Sequence, residues 1–439
     1  MFPLFWLSLA ILVILKNSRN MWWVYLVTVM WINPDVRVGT VSLMSFLHIF
    51  IMINATRISK KDIGQKAQVM SVLKRVIVYM AFINLVFLPF HTCSLIDNVM
   101  SMKSQIIVWP FLYSLLFYPP CRKSDFLIVG LSLLLLCVYG FFSYFTTENP
   151  YMAFLSEYMS EDVHIMERVE RSMKDARGVL GGRITGTSLY TIQYGIMLVL
   201  LMYSILGNIT KKYSLFFMII MLCAFINIYL TGSRGPLLAL VLGVVFYYSK
   251  SLSLKKQTAI IILISIVIII FSSFFSKYVG SLVTDGNEHG SNISDRSIQF
   301  YGALAIVSGD IMSLLFGMGP FYVDNYILNY GPHPLAAGFE STHVYGIVTY
   351  GIIGLILIFV GTEIVMLKAA NKLKRKNYLN NDSYYLIISL VLTNFVYNVM
   401  VGGVYENLYK FIFIMFVLAN NLENPYSTFN GQSLKKGGT

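Results

Sequence analysis

Residues 126–145 read FLIVGLSLLLLCVYGFFSYF, a run without a single charged side chain. A helix of about 20 such residues matches the thickness of the hydrocarbon core of a bilayer. Similar runs recur from Phe2 to Asn420, separated by short clusters of charged residues, Gly or Pro. No polar stretch between them is long enough to fold alone, so we predict an all-α fold, a polytopic transmembrane helical bundle.

We place a span wherever an apolar run ends at a charged, Gly or Pro cluster, which gives about 11 to 14 crossings. The predicted spans are residues 2–15, 21–32, 40–56, 76–96, 105–119, 126–145, 187–207, 214–230, 236–249, 258–276, 342–367, 384–403 and 408–421. The first run lacks a basic leader and a small-residue cleavage site, so we expect a retained span. Residues 1–421 are predicted to form a single membrane domain, followed by a cytoplasmic tail at residues 422–439.

The composition also indicates a chain solvated by lipid. Hydrophobic residues make up 56% and charged residues only 12%, whereas soluble domains carry roughly 25% charged residues. The formal charge of +12 does not indicate a nucleic-acid partner, because most Lys and Arg residues lie in the short connections on one side of the alternating spans. Those connections resist translocation, so the Lys-rich side is predicted to be cytoplasmic and membrane lipid to be the partner of the cations.

Two long connections, residues 146–186 and 277–341, fall on the outer side and are predicted to be large extracytoplasmic loops. In the first, apolar residues recur every three or four positions from Met152 to Met173, which predicts an amphipathic helix ended by Gly178, Gly181 and Gly182. This helix would serve either as a lid or as a structural cap. The second loop is rich in Gly and Pro and is predicted to consist of turns.

Three arginines on the outer side are candidate functional residues: Arg183, Arg234 and Arg296. A guanidinium at the edge of the hydrocarbon is costly unless it snorkels or pairs, and planar N–H donors bind phosphate oxygens bidentately. The alternatives are snorkelling for Arg234 and a loop salt bridge with Asp295 for Arg296. The outer face has no His or carboxylate cluster with metal-ligand spacing, so we predict no metal and no cofactor.

Several segments in this half of the chain follow a familiar order. They are GRITG at 182–186, TGSRGPLLAL at 231–240, Asp295–Arg296, GMGP at 317–320 and ESTHVYGIVTYGIIG at 340–354. This order resembles the bacterial O-antigen polymerase and ligase superfamily, whose members transfer glycans from an undecaprenyl diphosphate carrier. The resemblance covers about half the chain, from Arg183 to Gly354. It implies a C-type glycosyltransferase-like bundle in the bacterial cytoplasmic (inner) membrane and a metal-independent inverting glycosyltransferase.

The same resemblance separates two activities. Ligases carry a His followed by Asn, Ser or Gln, then nine residues, then Gly-x-x-Gly. Counted back from Gly351 and Gly354, the His position is occupied here by Glu340, with Ser341 after it. This departure favours a polymerase of O-antigen or related repeat units. The resemblance implies Glu340 as the general base, with His343 as a possible substitute that is more often a structural residue at a helix start. Arg183, Arg234 and Arg296 would bind the diphosphate. The implied partners are undecaprenyl-diphosphate-linked glycans and a chain-length regulator protein.

Aromatic residues cluster around the second outer loop and are candidates for stacking on sugars, or for an interfacial aromatic belt. They are Tyr322, Tyr326, Tyr330 and Tyr345. The alternatives to a polymerase are an O-antigen ligase acting on lipid A core and a non-enzymatic polysaccharide exporter or flippase. An exporter would need charged residues inside several spans, and Glu363 is the acid that we find within one.

Overall fold

The computed structural model describes residues 1–38, 41–58, 67–159, 165–174, 182–206, 214–248, 293–323 and 341–400, together with residues 414 and 417. Helices dominate this part of the chain, which confirms the predicted all-α class. The described sheet is one hairpin, in which β1 (Arg37–Val38) pairs antiparallel with β2 (Val41–Ser42). This hairpin delays the start of the third helix to Leu43, three residues after the predicted span begins at residue 40.

The described helices follow one another with few long gaps. They are α1 (Phe2–Lys16), α2 (Met21–Trp31), α3 (Leu43–Ala55), α4 (Ala67–Val86), α5 (Leu95–Ser101), α6 (Lys103–Leu115), α7 (Lys123–Thr146), α8 (Pro150–Ser156), α9 (Ile165–Met173), α10 (Thr191–Leu206), α11 (Ser214–Leu230), α12 (Arg234–Tyr248), α13 (Ile293–Val307), α14 (Ile311–Phe316), α15 (Thr342–Gly354), α16 (Gly361–Arg375) and α17 (Asn381–Met400). A π-helical segment, Leu355–Val360, joins α15 to α16.

Three helical segments of the described chain are long and apolar enough to cross a membrane: Val69–Phe90, Ser124–Thr146 and Thr342–Arg375. Shorter apolar helices coincide with other predicted spans, among them Phe2–Lys16, Thr191–Leu206 and Ser214–Leu230. These lengths and compositions indicate a membrane protein. The predicted spans at 258–276 and 408–421 lie outside the described residues, apart from residues 414 and 417.

Helix α7 contains the apolar run at 126–145, and a side chain of its own first turn caps its N-terminus. The carboxylate of Asp125 accepts a hydrogen bond from the backbone N–H of Arg122 at 2.8 Å, which satisfies a donor that the helix itself leaves unused. Gly130 lets α11 approach closely, because a Cβ atom there would lie 3.0 Å from the Phe217 ring. The apolar run therefore packs inside the protein on one face and is exposed on the other.

A buried polar contact fixes the packing of α7, α10 and α11. Asn227 is fully buried, and its amide donates to the carbonyl oxygens of Cys223 at 2.9 Å and Cys137 at 3.3 Å. The Tyr194 hydroxyl donates to the Asn227 side-chain oxygen at 3.1 Å. Gly140 makes room for this amide, since a Cβ atom there would lie 2.1 Å from the Asn227 Oδ1 atom. Satisfied polar groups of this kind favour one register over its alternatives.

Helix α15 is kinked where it meets the segment after α14. Gly351 adopts φ +67° and ψ −172°, a conformation that is essentially restricted to glycine. Beside the kink, the backbone N–H groups of Met318 and Gly319 donate to the carbonyl oxygens of Val348 and Thr349, at 2.8 and 3.0 Å. Gly317 is held at φ +83° against the same backbone. The GMGP segment thus binds, main chain to main chain, the residues of α15 that directly precede Gly351.

Four sequence predictions of the elements need correction. The span predicted at 76–96 is helical from Ala67, because Lys74 and Arg75 lie on its exposed face and do not interrupt it. Helix α4 ends at Val86, and a 3₁₀ turn at Leu88–Phe90 completes the apolar segment Val69–Phe90. The helix predicted to end at residue 367 continues to Arg375, where Lys372, Lys374 and Arg375 complement the negative end of the helix dipole.

The other two corrections concern the outer loops. The amphipathic helix predicted across Met152 to Met173 is two helices, since α8 ends at Ser156 and residues 157–159 form a turn. Their apolar residues still pack into the main hydrophobic core, as a structural cap would. The loop predicted as turns at 277–341 contains α13 and α14, because an apolar run within it buries Ala303 and Val307 in a second, smaller core.

Candidate functional site

Arg183 anchors the first of the two arginine motifs onto the second. Its side chain is only 4% exposed. The Nε atom donates to the carbonyl oxygen of Thr231 at 2.6 Å, and Nη2 donates to the Ser233 hydroxyl at 2.8 Å. Both of these acceptors are uncharged, and the two bonds fix the orientation of the guanidinium. The GRITG and TGSRGP motifs therefore meet at a buried cation.

The turn at Thr231–Ser233, which accepts the hydrogen bonds of Arg183, has several hydrogen bonds of its own. Gly232 has φ +61°, which explains the glycine between Thr231 and Ser233. The Thr231 hydroxyl donates to the Ile228 carbonyl at 2.6 Å and accepts from the Ser233 backbone N–H at 3.2 Å. The Ser233 hydroxyl also lies 3.3 Å from that of Thr191 at the start of α10. A turn with this many local bonds positions its side chains before any ligand arrives.

Helix α12 begins at this turn, with Arg234 as its first residue. The sequence places the start two residues later, at Pro236; proline is tolerated in the first turn because the N–H groups there have no partner within the helix. Gly195 allows α10 to approach, since a Cβ atom there would lie 3.0 Å from the Pro236 ring. The N-terminus of a helix of 15 residues carries partial positive charge, so it adds to the field of Arg183. The side chain of Arg234 lies outside the described residues.

The segment that carries Arg183 is secured on both sides. The Arg183 N–H donates to the Met173 carbonyl at the end of α9, at 3.0 Å. Further along, the Asn149 amide donates to the Thr185 hydroxyl and to the Gly186 carbonyl, each at 2.8 Å. Gly186 has φ +54°, and a Cβ atom there would lie 2.2 Å from the Tyr194 ring. The last glycine of the GRITG motif is therefore required by geometry.

Some supporting residues of this site escaped the sequence analysis. Thr231 and Ser233 stand in the TGSRGP motif, but only the arginine was singled out as chemically important. Asn149 carries a usable signal, because Asn before Pro150 is a common helix N-cap, and its side chain does accept the N–H of Met152 at 3.0 Å. Its second role, bonding the segment after Arg183, has no local signature.

His343 lies at the start of α15, as predicted, and has structural contacts. Its Nδ1 atom is 2.9 Å from the Asn398 carbonyl oxygen on α17, and its ring contacts those of Phe359 and Phe395. The neighbouring Ser341 hydroxyl donates to the same carbonyl at 3.2 Å. These contacts hold the imidazole at the start of α15, and the role of His343 stays a prediction. Helix α17 also packs along α12, so it links the start of α15 to the helix that begins at Arg234.

The other predicted site residues are described in part. Tyr322 and Tyr345 are partly buried and pack against the same second core, beside Val344 and Ile347. Arg296 belongs to the first turn of α13 by its backbone, but its side chain lies outside the described residues. Glu340, Tyr326 and Tyr330 lie outside them altogether. The roles given to these residues stay predictions.

Within the described ranges, no three His, Cys, Asp or Glu side chains come close enough together to hold a metal ion. The prediction that the chain needs no metal stays untested by that observation. Compared with family models and with curated proteins, the chain matches neither.

Proposed function

We propose that this chain polymerises undecaprenyl-diphosphate-linked oligosaccharide repeat units into O-antigen or a related surface polysaccharide. The protein would be a multi-pass glycosyltransferase of the bacterial cytoplasmic membrane, with its site at the outer face. The observation that carries the proposal is the buried guanidinium of Arg183, which is held by Thr231 and Ser233 at the N-terminus of α12.

A lipid diphosphate suits this arrangement chemically. Its oxygens accept bidentate N–H bonds from a guanidinium, and the start of a helix favours an anion. Charge that is already in position costs little reorganisation when negative charge develops on a leaving group. In the proposed reaction this charge is that of undecaprenyl diphosphate as it departs from the anomeric carbon. Arg234 and Arg296 would contribute further guanidinium groups from the first turns of α12 and α13.

The remaining chemistry is the activation of the acceptor. A hydroxyl of the incoming lipid-linked repeat unit attacks the anomeric carbon of the growing glycan, with inversion, while the bond from that carbon to the diphosphate breaks. Glu340 would take the hydroxyl proton as general base. Glu340 directly precedes Ser341, whose hydroxyl donates to Asn398, so the described start of α15 would anchor the base on α17.

The proposal is tested with glycolipid gels of a deletion strain that carries each variant at equal membrane abundance. Arg183→Lys, Arg234→Ala and Glu340→Gln are each expected to leave a single repeat unit where wild type gives a ladder. Arg19→Lys, at an exposed position in the turn between α1 and α2, is the matched control and should give a normal ladder. Normal ladders in all three site variants would reject the proposal.

The same gels separate the alternatives. A ligase predicts long glycan accumulating on undecaprenyl diphosphate with none on lipid A core. An exporter predicts normal polymerisation with failed translocation, above all in Glu363→Gln, which changes the buried acid of α16. Under our proposal Glu363→Gln leaves glycan length unchanged.

A further inference from the structure

A groove of about 380 Å³ runs along the surface of α4, away from the candidate glycan site. It is lined by Ser71, Lys74, Arg75, Val78, Tyr79 and Phe82. These residues stand at positions i, i+3, i+4, i+7, i+8 and i+11, so they form a single face of α4. The opposite face of the same helix is buried in the main core.

The groove is cationic at one end and apolar at the other. Lys74 and Arg75 are exposed, and one to two turns further along, Val78 and Phe82 are 54% and 60% exposed. From Lys74 to Phe82 the helix rises about 12 Å, the length of a headgroup followed by the first part of an acyl chain. A ligand that matches this surface carries a negative charge at one end and a hydrocarbon chain at the other.

The two cations lie within a segment that is apolar enough to cross a membrane, Val69–Phe90. Charged side chains on a lipid-facing helix are costly unless they snorkel to the interface or find a partner. Among the described residues, neither Lys74 nor Arg75 forms an ion pair with an acidic side chain; the ion pair found there joins Glu170 of α9 to Lys174, one residue beyond that helix. An anionic headgroup would supply the missing counter-charge.

The wall of the groove is held in place by its contact with the π-helical segment. The Tyr79 hydroxyl donates to the Leu357 carbonyl at 2.9 Å, an acceptor in the π-helical segment. Gly361 makes room for that hydroxyl, since a Cβ atom there would lie 2.4 Å from it. Helix α16, which packs on α4, ends in Lys372, Lys374 and Arg375. A helix that packs on α4 is therefore basic as well, and a second copy of this chain would bring like charges together.

We infer that this groove binds an anionic phospholipid, with the headgroup phosphate on Lys74 and Arg75 and an acyl chain along Val78 and Phe82. This inference is independent of the glycan chemistry proposed above. Arginine and lysine side by side provide a planar donor pair and a point charge, which together suit a phosphodiester. The Ser71 hydroxyl, one turn before Lys74, is placed to bond the headgroup.

The test uses the full purified chain in detergent and counts retained lipid by native mass spectrometry during titration with phosphatidylglycerol or phosphatidylcholine. Wild type is expected to retain one phosphatidylglycerol in preference to phosphatidylcholine. The double variant Lys74→Gln with Arg75→Gln is expected to bind it about 30-fold more weakly, given the usual contribution of each basic residue near a lipid surface. The charge-conserving variant Lys74→Arg with Arg75→Lys should retain the lipid.

A matched control removes the same charge elsewhere. Lys16→Gln with Arg19→Gln changes two exposed basic residues at the end of α1 and should leave retention unchanged. Three results would overturn the inference: no preference for phosphatidylglycerol in wild type, equal loss of retention in the control, or stronger retention of undecaprenyl phosphate than of phosphatidylglycerol on the same two cations. If the glutamine variant does not fold, the charge-conserving variant and the wild-type preference still decide the matter.

Discussion

The kink of α15 makes a quantitative prediction about Gly351→Ala. Alanine at φ +67° and ψ −172° is strained by about 1 to 3 kcal/mol. Its Cβ atom would also lie 2.4 Å from the carbonyl carbon of Leu315 and 2.5 Å from the amide nitrogen of Phe316, and these backbone atoms cannot rotate away. The end of α14 and the segment after it must then shift, which loses the bonds from Met318 to Val348 and from Gly319 to Thr349 at about 1 kcal/mol each.

Together these terms predict a destabilisation of about 3 to 5 kcal/mol, which should lower the apparent Tm of a 439-residue chain by about 3 to 5 °C. The measurement is thermal unfolding of the purified protein in detergent, with wild type and variant heated at the same rate because unfolding of such proteins is often irreversible. Gly309→Ala is the matched control, since Gly309 is exposed and a Cβ atom there meets nothing within 4 Å. Equal apparent Tm values for the two variants would refute the kinked contact between α14 and α15.

Two further predictions concern packing and pH. Gly243→Ala is expected to separate α12 from α17 and to lower the apparent Tm in the same assay, because its Cβ atom would lie 2.2 Å from both the Thr393 Oγ1 and Tyr203 Oη atoms; an unchanged Tm would contradict this contact. Burial lowers the pKa of His91, one residue beyond the span that ends at Phe90, to about 4 from 6.5, so the folded protein keeps this ring neutral. The unfolded chain therefore takes up the proton first, and stability that is present above pH 6.5 is lost as the pH falls towards 4. His91→Gln should flatten this loss in unfolding scans between pH 7.5 and 4.5, and an identical pH profile would show that His91 is not its source.

The positions of most helices could be predicted from the sequence because they depend on local composition. The apolar run at 214–230 coincides with α11, Ser214–Leu230, since Lys211 and Lys212 precede it and the TGSRGP turn follows it. The early start of α4 could not be predicted in this way. Its Lys74 and Arg75 look like part of a connection, whereas their side chains emerge from an exposed helical face.

The features that could not be predicted from the sequence depend on contacts between residues far apart in the chain. The motif around Arg183 and the motif around Arg234 could each be recognised, but the bond from Arg183 to Thr231 joins residues 48 positions apart. The kink at Gly351 is similar, because a glycine in an apolar helix has no fixed meaning until the GMGP segment is packed against it. The place of Glu340 in the site and its role as general base stay predictions.

The central claim is that the cation at Arg183 holds the diphosphate of a lipid-linked glycan. The most direct test compares the binding of undecaprenyl diphosphate and undecaprenol, its uncharged counterpart, to the purified wild type and to Arg183→Lys. We expect wild type to prefer the diphosphate at least about tenfold, since hydrogen bonds to charged groups contribute about 1.5 to 3 kcal/mol. Arg183→Lys, with an unchanged Tm and unchanged undecaprenol binding, should lose most of that preference. Equal affinity of wild type for the two lipids, or an undiminished preference in Arg183→Lys, would contradict the claim.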